Sequence, residues 1–258
     1  KPLCEARKRT MRFLHRALVR GLQTSGLRAP TALSYGGMTD IGRVRERNED
    51  SYGAYPDLGI FVVADGLGGV GHVASDIAVK AFATLHDSAD EHQDVLVKGV
   101  EKANELILNG RSEEGLGKMA TTVAAVLVAP ERVHICHVGD SRVYRMRSST
   151  LEQLTRDHSY AQEFAERGKR VPKSLAHAVT KALGLRPDVA PDVREEAWQP
   201  GDRLILCTDG LTRKVDEEEL ATKLSETKRP AEDICAELVN IANERGGEDN
   251  ITAVVVDL

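Results

Sequence analysis

The chain has 258 residues, 41% of them hydrophobic, which is enough for one large domain with a real core and excludes a peptide, a stapled mini-protein and a disordered tail. Its net charge of −5 is uneven: residues 1–30 hold eight of the 35 Lys and Arg against one acid, Glu5, so the remainder carries 27 basic and 39 acidic side chains. A body with that acidic excess is not expected to bind nucleic acid, and it suits a cation site.

Residues 3–22 place Met11, Leu14, Leu18 and Leu22 at helical spacing opposite Arg9, Arg12, Arg16 and Arg20, ahead of the breaker-rich stretch TSGLRAP. This predicts a basic amphipathic arm over 1–34, outside a domain that occupies 35–258. Its functional readings are docking to a membrane surface or a partner, or a remnant of a targeting segment; the plainer reading is an extension with no task.

In chain order the domain then predicts a strand over 60–65 (IFVVAD), helices over 73–90 and 92–110, and strands over 121–129, 132–140 and 142–147. A helix over 158–168, a strand over 203–210, helices over 216–226 and 230–245 and a last strand over 251–258 complete the series. The three strands between Thr121 and Arg147 are joined by links too short for a parallel crossover, so an antiparallel meander is expected. The class is α+β in layers, not a doubly wound parallel sheet.

No apolar run approaches membrane-spanning length, and nothing near the first residue resembles a secretory signal. Cys4, Cys136, Cys207 and Cys235 show neither CxxC nor framework spacing, so thiols of a cytoplasmic protein are expected, with no disulfide and no zinc site.

Apolar strands end in Asp repeatedly, as VVAD ending at Asp65, HVGD at Asp140 and LCTD at Asp209, and Asp249 stands just before the last strand. Glu49 and Asp50 close the segment RERNED. A single Asp-Gly is usually only a turn. The set is different, because carboxylates about 4 Å apart at an effective dielectric near 20 repel by ~4 kcal/mol per pair, which a fold retains only with a compensating cation. Gly66, Gly139 and Gly210 beside the acids allow tight turns and close backbone approach. With oxygen donors and no His or Cys at ligand spacing, the cation should be hard, Mg²⁺ or Mn²⁺, and there are acids enough for two ions. Such a pair can activate a bridging water for in-line attack on phosphorus.

The motifs DIGRVRERNED (40–50), FVVADGLGG (61–69), MATTVAAVLV (119–128), HVGDSRVYR (137–145), LTRDHS (154–159), TKALG (180–184), LILCTDGLT (204–212) and EDNIT (248–252) occur in that order. Together they resemble the bacterial branch of the metal-dependent Ser/Thr protein phosphatases, the PPM or type 2C family. The resemblance implies a sandwich of two antiparallel sheets flanked by helix pairs. It also implies hydrolysis of phosphoserine and phosphothreonine in proteins by direct water attack, without a covalent intermediate.

Carried over by motif, Asp65 bridges two metals with the Gly66 carbonyl, Asp209 and Asp249 complete one ion, and Glu49 acts on the other through water. Asp50 supports that set, Arg45 binds phosphate through its guanidinium fork, and Asp140 resembles a ligand for a third, weaker ion. The implied partners are phosphoproteins made by a cognate Ser/Thr kinase.

Two positions depart from the family pattern. Val70 stands where relatives commonly keep a histidine, which leaves His72 as the candidate general acid through a shifted loop. Arg213 stands where many relatives place another acid, which weakens the case for a third ion at Asp140. Asp157 is expected to cap the helix that follows it, His158 to tie its loop to the core, and residues 159–179 to correspond to a flap beside the site. The rival readings are a dinucleotide-binding turn at Gly66, Gly68 and Gly71, which leaves Asp140, Asp209 and Asp249 without a task, and a pseudophosphatase or binding module on the same fold.

Overall fold

The computed structural model describes residues 33–85, 92–111 and 119–258, so residues 1–32 of the expected arm lie outside the described residues. The strands are β1 (Ser34–Asp40), β2 (Asp50–Tyr55), β3 (Ile60–Leu67), β4 (Ala120–Thr121), β5 (Val123–Val128), β6 (Arg132–Val138), β7 (Arg142–Arg147), β8 (Thr150–Gln153), β9 (Asp192–Ala197), β10 (Arg203–Cys207) and β11 (Ile251–Asp257). The α-helices are α1 (Gly71–Phe82), α2 (His92–Gly110), α3 (Tyr160–Glu166), the single turn α4 (Asp209–Thr212), α5 (Glu217–Leu224) and α6 (Ala231–Glu244).

The strands make two sheets, one in the order β2-β3-β5-β6-β9 with β4 beside β3, the other β1-β11-β10-β7-β8. Every strand pairing among the described residues is antiparallel. Side-chain alternation explains the layering. In β3, Ile60, Val62 and Ala64 pack under α1 and α2, while Phe61 and Val63 enter the layer between the sheets. In β11, Ile251, Ala253 and Val255 pack under α6, while Val254 and Val256 meet the same inter-sheet layer. Both central strands are therefore apolar on both faces, and the layers stack helix, sheet, sheet, helix.

The expected meander is half correct. β5 and β6 pair, but β7 joins the other sheet, beside β10. The free edge of β6 is taken by β9, and the link Gly139–Ser141, with Gly139 at φ 109°, turns the chain across the end of the sandwich. That corner is what carries Asp140 to the rim.

The strand expected over 203–210 stops at Cys207 because Asp209 opens α4. Strands β1, β2, β8 and β9 are the ones that hydropathy does not reveal. Their sequences, SYGGMTD, DSYGAY, TLEQ and DVREEA, are glycine-rich or polar, and β8 and β9 lie at sheet edges where neither face is fully buried.

Candidate metal centre

The alternation that builds the inter-sheet layer continues past its apolar end into polar residues. Asp65 follows Phe61 and Val63 on one face of β3, and Asp50 lies directly opposite it on β2. From the other sheet, Thr208 follows Leu204 and Leu206, and Thr252 precedes Val254 and Val256. Both threonine hydroxyls donate to Asp50 Oδ2, at 2.8 and 2.7 Å. Asp50 thus forms the floor that joins the two sheets, and its other oxygen, Oδ1, is buried without a hydrogen-bond partner among the described residues.

The glycine after each of two aspartates is demanded by backbone contact and not by a turn, since neither residue has a positive φ. A Cβ on Gly66 would lie 2.4 Å from Gly71 C and 2.5 Å from Glu49 O, and one on Gly210 would lie 2.0 Å from Asn250 O. These contacts press the loop that carries Glu49 against β3, and α4 against the start of β11. Asn250 locks the same loop: its Oδ1 accepts from Glu49 N at 2.8 Å, and its Nδ2 donates to Ile41 O and Arg47 O at 2.9 and 3.0 Å. Motif reading passed over Asn250, although an amide just before a strand was the available signal.

Arg45, Glu49, Asp65, Gly66, Asp140, Asp209 and Asp249 line one cleft of about 280 Å³. Asp50 lies beneath it. Burial, reinforced by Asp50, Asp209, Asp140 and Asp249, holds the Asp65 carboxyl well above the usual carboxylate range. Burial also pushes Asp50 to about 7 against its threonine hydrogen bonds, and Asp140 to about 7 with Asp209 adding to the push. Asp209 is raised by burial and partly relieved by Arg213. So many crowded carboxylates, one with an orphaned buried oxygen, fit a hard cation with oxygen ligands. In the described structure arginines supply the countercharge. Arg45 Nη2 lies 2.9 Å from Asp249 Oδ1, Arg213 Nη1 lies 3.0 Å from Asp249 Oδ2, and Arg213 Nη2 closes on Asp209 Oδ2.

His72 is not brought to the cleft. Its ring stands 3.3 Å from Arg47 Nη1, because it lies on the first turn of α1, which begins at Gly71. The histidine that lines the cleft is His177, close enough for its charge to act on Asp209. It sits in the segment likened to a flap, where nothing in its spacing marks it out. Val70, at the expected histidine position, packs against the apolar layer under α1.

Asp157 does not cap α3. Ser159 does, accepting from Gln162 N at 3.2 Å, while Asp157 takes a two-pronged ion pair from Arg142. His158 does tie its loop to the core: its Nδ1 accepts from Gly139 N at 3.1 Å, beside Asp140, and its Nε2 lies 3.1 Å from Asp192 Oδ1. A dinucleotide turn is excluded by topology, since β3 pairs antiparallel with both β2 and β5 and no parallel crossover follows it among the described residues.

The family model for protein phosphatase 2C matches residues 43–255. A serine/threonine phosphatase, stp, from Listeria welshimeri is 37% identical over 237 residues, covering 85% of this chain and 93% of that protein. The crystal structure of the Mycobacterium tuberculosis serine/threonine phosphatase PstP/Ppp superposes with a TM-score of 0.80 at 32% identity, covering 88% of this chain and 98% of that one. The catalytic domain of a serine/threonine protein phosphatase PstP, solved with two manganese ions, gives a TM-score of 0.78 at 34% identity, covering 87% of this chain and 97% of that one.

Proposed function

The chain belongs to the protein phosphatase 2C family, and on that premise we propose that its cleft hydrolyses phosphoserine and phosphothreonine in proteins. It is a metal-dependent serine/threonine phosphatase, and its cofactor is a pair of Mn²⁺ or Mg²⁺ ions. The observation that carries the site assignment is convergence. Asp65 from one sheet and Asp209 and Asp249 from the end of the other line a single cleft together with Arg45.

We assign Asp65, Asp209, Asp249 and the Gly66 carbonyl to direct metal contact, Glu49 to contact through water, and Asp50 to the support beneath them. When bound, the ions supply an activated water and neutralise charge that develops on phosphorus. Arg45 turns from Asp249 to the phosphate, where its fork matches paired oxygens; its 49% exposed side chain leaves room for that movement. No side chain of the cleft serves as nucleophile. A serine or threonine oxygen leaves poorly until protonated, and His177 is the imidazole placed to deliver that proton. Asp140 is the weakest ligand of the set, since Arg213, and not a further acid to share its ion, stands four residues after Asp209.

The substrates assigned to it are phosphoproteins made by a cognate Ser/Thr kinase. The thiols of Cys136, Cys207 and Cys235 are free, which supports a cytoplasmic setting. No helix among the described residues is long and apolar enough to cross a membrane. For the basic arm, docking to a membrane surface or a partner is the functional reading, beside the plainer one of an extension with no task. The test of the whole reading is hydrolysis of a phosphothreonine peptide by the parent and by Asp65→Ala, with Mn²⁺ and with chelator. Mn²⁺-dependent turnover by the parent alone is expected, and equal rates in all arms would sink it.

A further inference from the structure

Arg213 is the charged group of the cleft that the reaction above leaves without a task. It stands one turn after Asp209, just past α4, and its guanidinium spans two carboxylates: Nη1 is 3.0 Å from Asp249 Oδ2, and Nη2 is bonded to Asp209 Oδ2. Its charge also reaches Asp140. Arg45 contacts only one of these acids and is 49% exposed, whereas the Arg213 side chain is 30% exposed, so Arg213 is the more firmly seated of the two.

We propose that Arg213 is a built-in counter-cation that competes with divalent ions for Asp209 and Asp249, and so sets how much free Mn²⁺ the protein needs. The proposal rests on the assignment of those two aspartates as metal ligands. The oxygens that accept from the fork are donors that a hard cation would take. A lone pair directed into an N–H is lost to a metal, and a guanidinium held at contact distance from a divalent ion is repelled. Loading therefore requires the fork to swing out toward solvent, which its exposure allows. The metal-free protein gains in return, because a guanidinium bonded to both Asp209 and Asp249 relieves the repulsion between them. Lysine at this position would keep the charge without the reach, since one ammonium does not span two carboxylates in the geometry of a planar fork.

The experiment is equilibrium Mn²⁺ binding to the metal-free 258-residue chain, followed by calorimetry and by the electron paramagnetic resonance of free Mn²⁺, for the parent, Arg213→Gln and Arg213→Lys. Thermal unfolding in chelator is measured alongside. Arg213→Gln should bind Mn²⁺ about three- to tenfold more tightly than the parent and melt lower without metal, with Arg213→Lys between them. Unchanged or weaker Mn²⁺ affinity in both variants would overturn the proposal while leaving the phosphatase reading intact. Failure of the parent and both variants to bind Mn²⁺ at all would overturn the two together.

Discussion

Asp50 and Asp65 stand directly opposite each other across the β2–β3 ladder, so strand pairing alone sets two carboxylates on one face at the end of the inter-sheet layer. Like charges in that relation destabilise a sheet. The threonine hydroxyls on Asp50 answer part of the conflict, and raised proton affinity answers the rest when no cation is present.

The first prediction follows from the sign of that shift. A carboxyl whose pKa is raised by folding holds a proton that the unfolded chain has lost, so its stabilising contribution is whole below about pH 4 and disappears as pH rises toward about 7. Metal-free protein should therefore lose melting temperature across that window. Asp65→Asn should flatten the loss, and Mn²⁺ should largely abolish it in the parent. The same variant should lose at least about 100-fold in activity. Identical pH slopes for parent and variant in thermal unfolding would show that Asp65 is not crowded.

Arg45 is expected to act on substrate through two parallel hydrogen bonds. Charge-assisted bonds of this kind contribute about 1.5–3 kcal/mol, so Arg45→Ala should lower kcat/KM on a phosphopeptide roughly 10- to 100-fold. Arg45→Lys should recover only part of this, because the fork is lost. Steady-state kinetics check both, and full recovery by lysine would reduce Arg45 to a diffuse charge.

The two histidines make opposite predictions. His72→Ala should stay within about twofold of the parent, since its ring lies against Arg47 and outside the cleft. His177→Gln should slow hydrolysis of a phosphothreonine peptide by about 100-fold or more, while p-nitrophenyl phosphate, whose leaving group needs no proton, should be affected far less. Equal losses on both substrates would make His177 a binding residue and not an acid.

Gly210→Ala drives a methyl group against Asn250 O, 2.0 Å from the ideal Cβ position. Overpacking of this kind costs about 1–3 kcal/mol, which in a chain of this size lowers the melting temperature by roughly 2–10 °C. Because α4 and the start of β11 carry Asp209 and Asp249, Mn²⁺ affinity should fall as well. An unchanged melting curve would mean that the close approach relaxes freely.

The central strands were readable because both faces are apolar, which concentrates β-branched residues in β3, β5, β10 and β11. The cleft aspartates were readable because Asp65, Asp140 and Asp209 each end such a run and Asp249 stands just before one. Hydropathy could not show which sheet a strand joins, and so β7 was placed beside β6, although the Gly139 corner sends it across the sandwich. It could not find β9 either, whose edge position asks little of its side chains. His72 was chosen by nearness in sequence to the glycine loop, whereas the cleft draws its histidine from a segment more than 100 positions later, a distance that only the folded chain closes.

The hydroxyls of Thr208 and Thr252 reach Asp50 from the opposite sheet, so the catalytic floor is also a seam in the scaffold. Chemistry and architecture share those atoms. A lineage that let the acids drift would unstitch one end of its own frame, which ties the persistence of this kind of site to cohesion of the fold as much as to turnover.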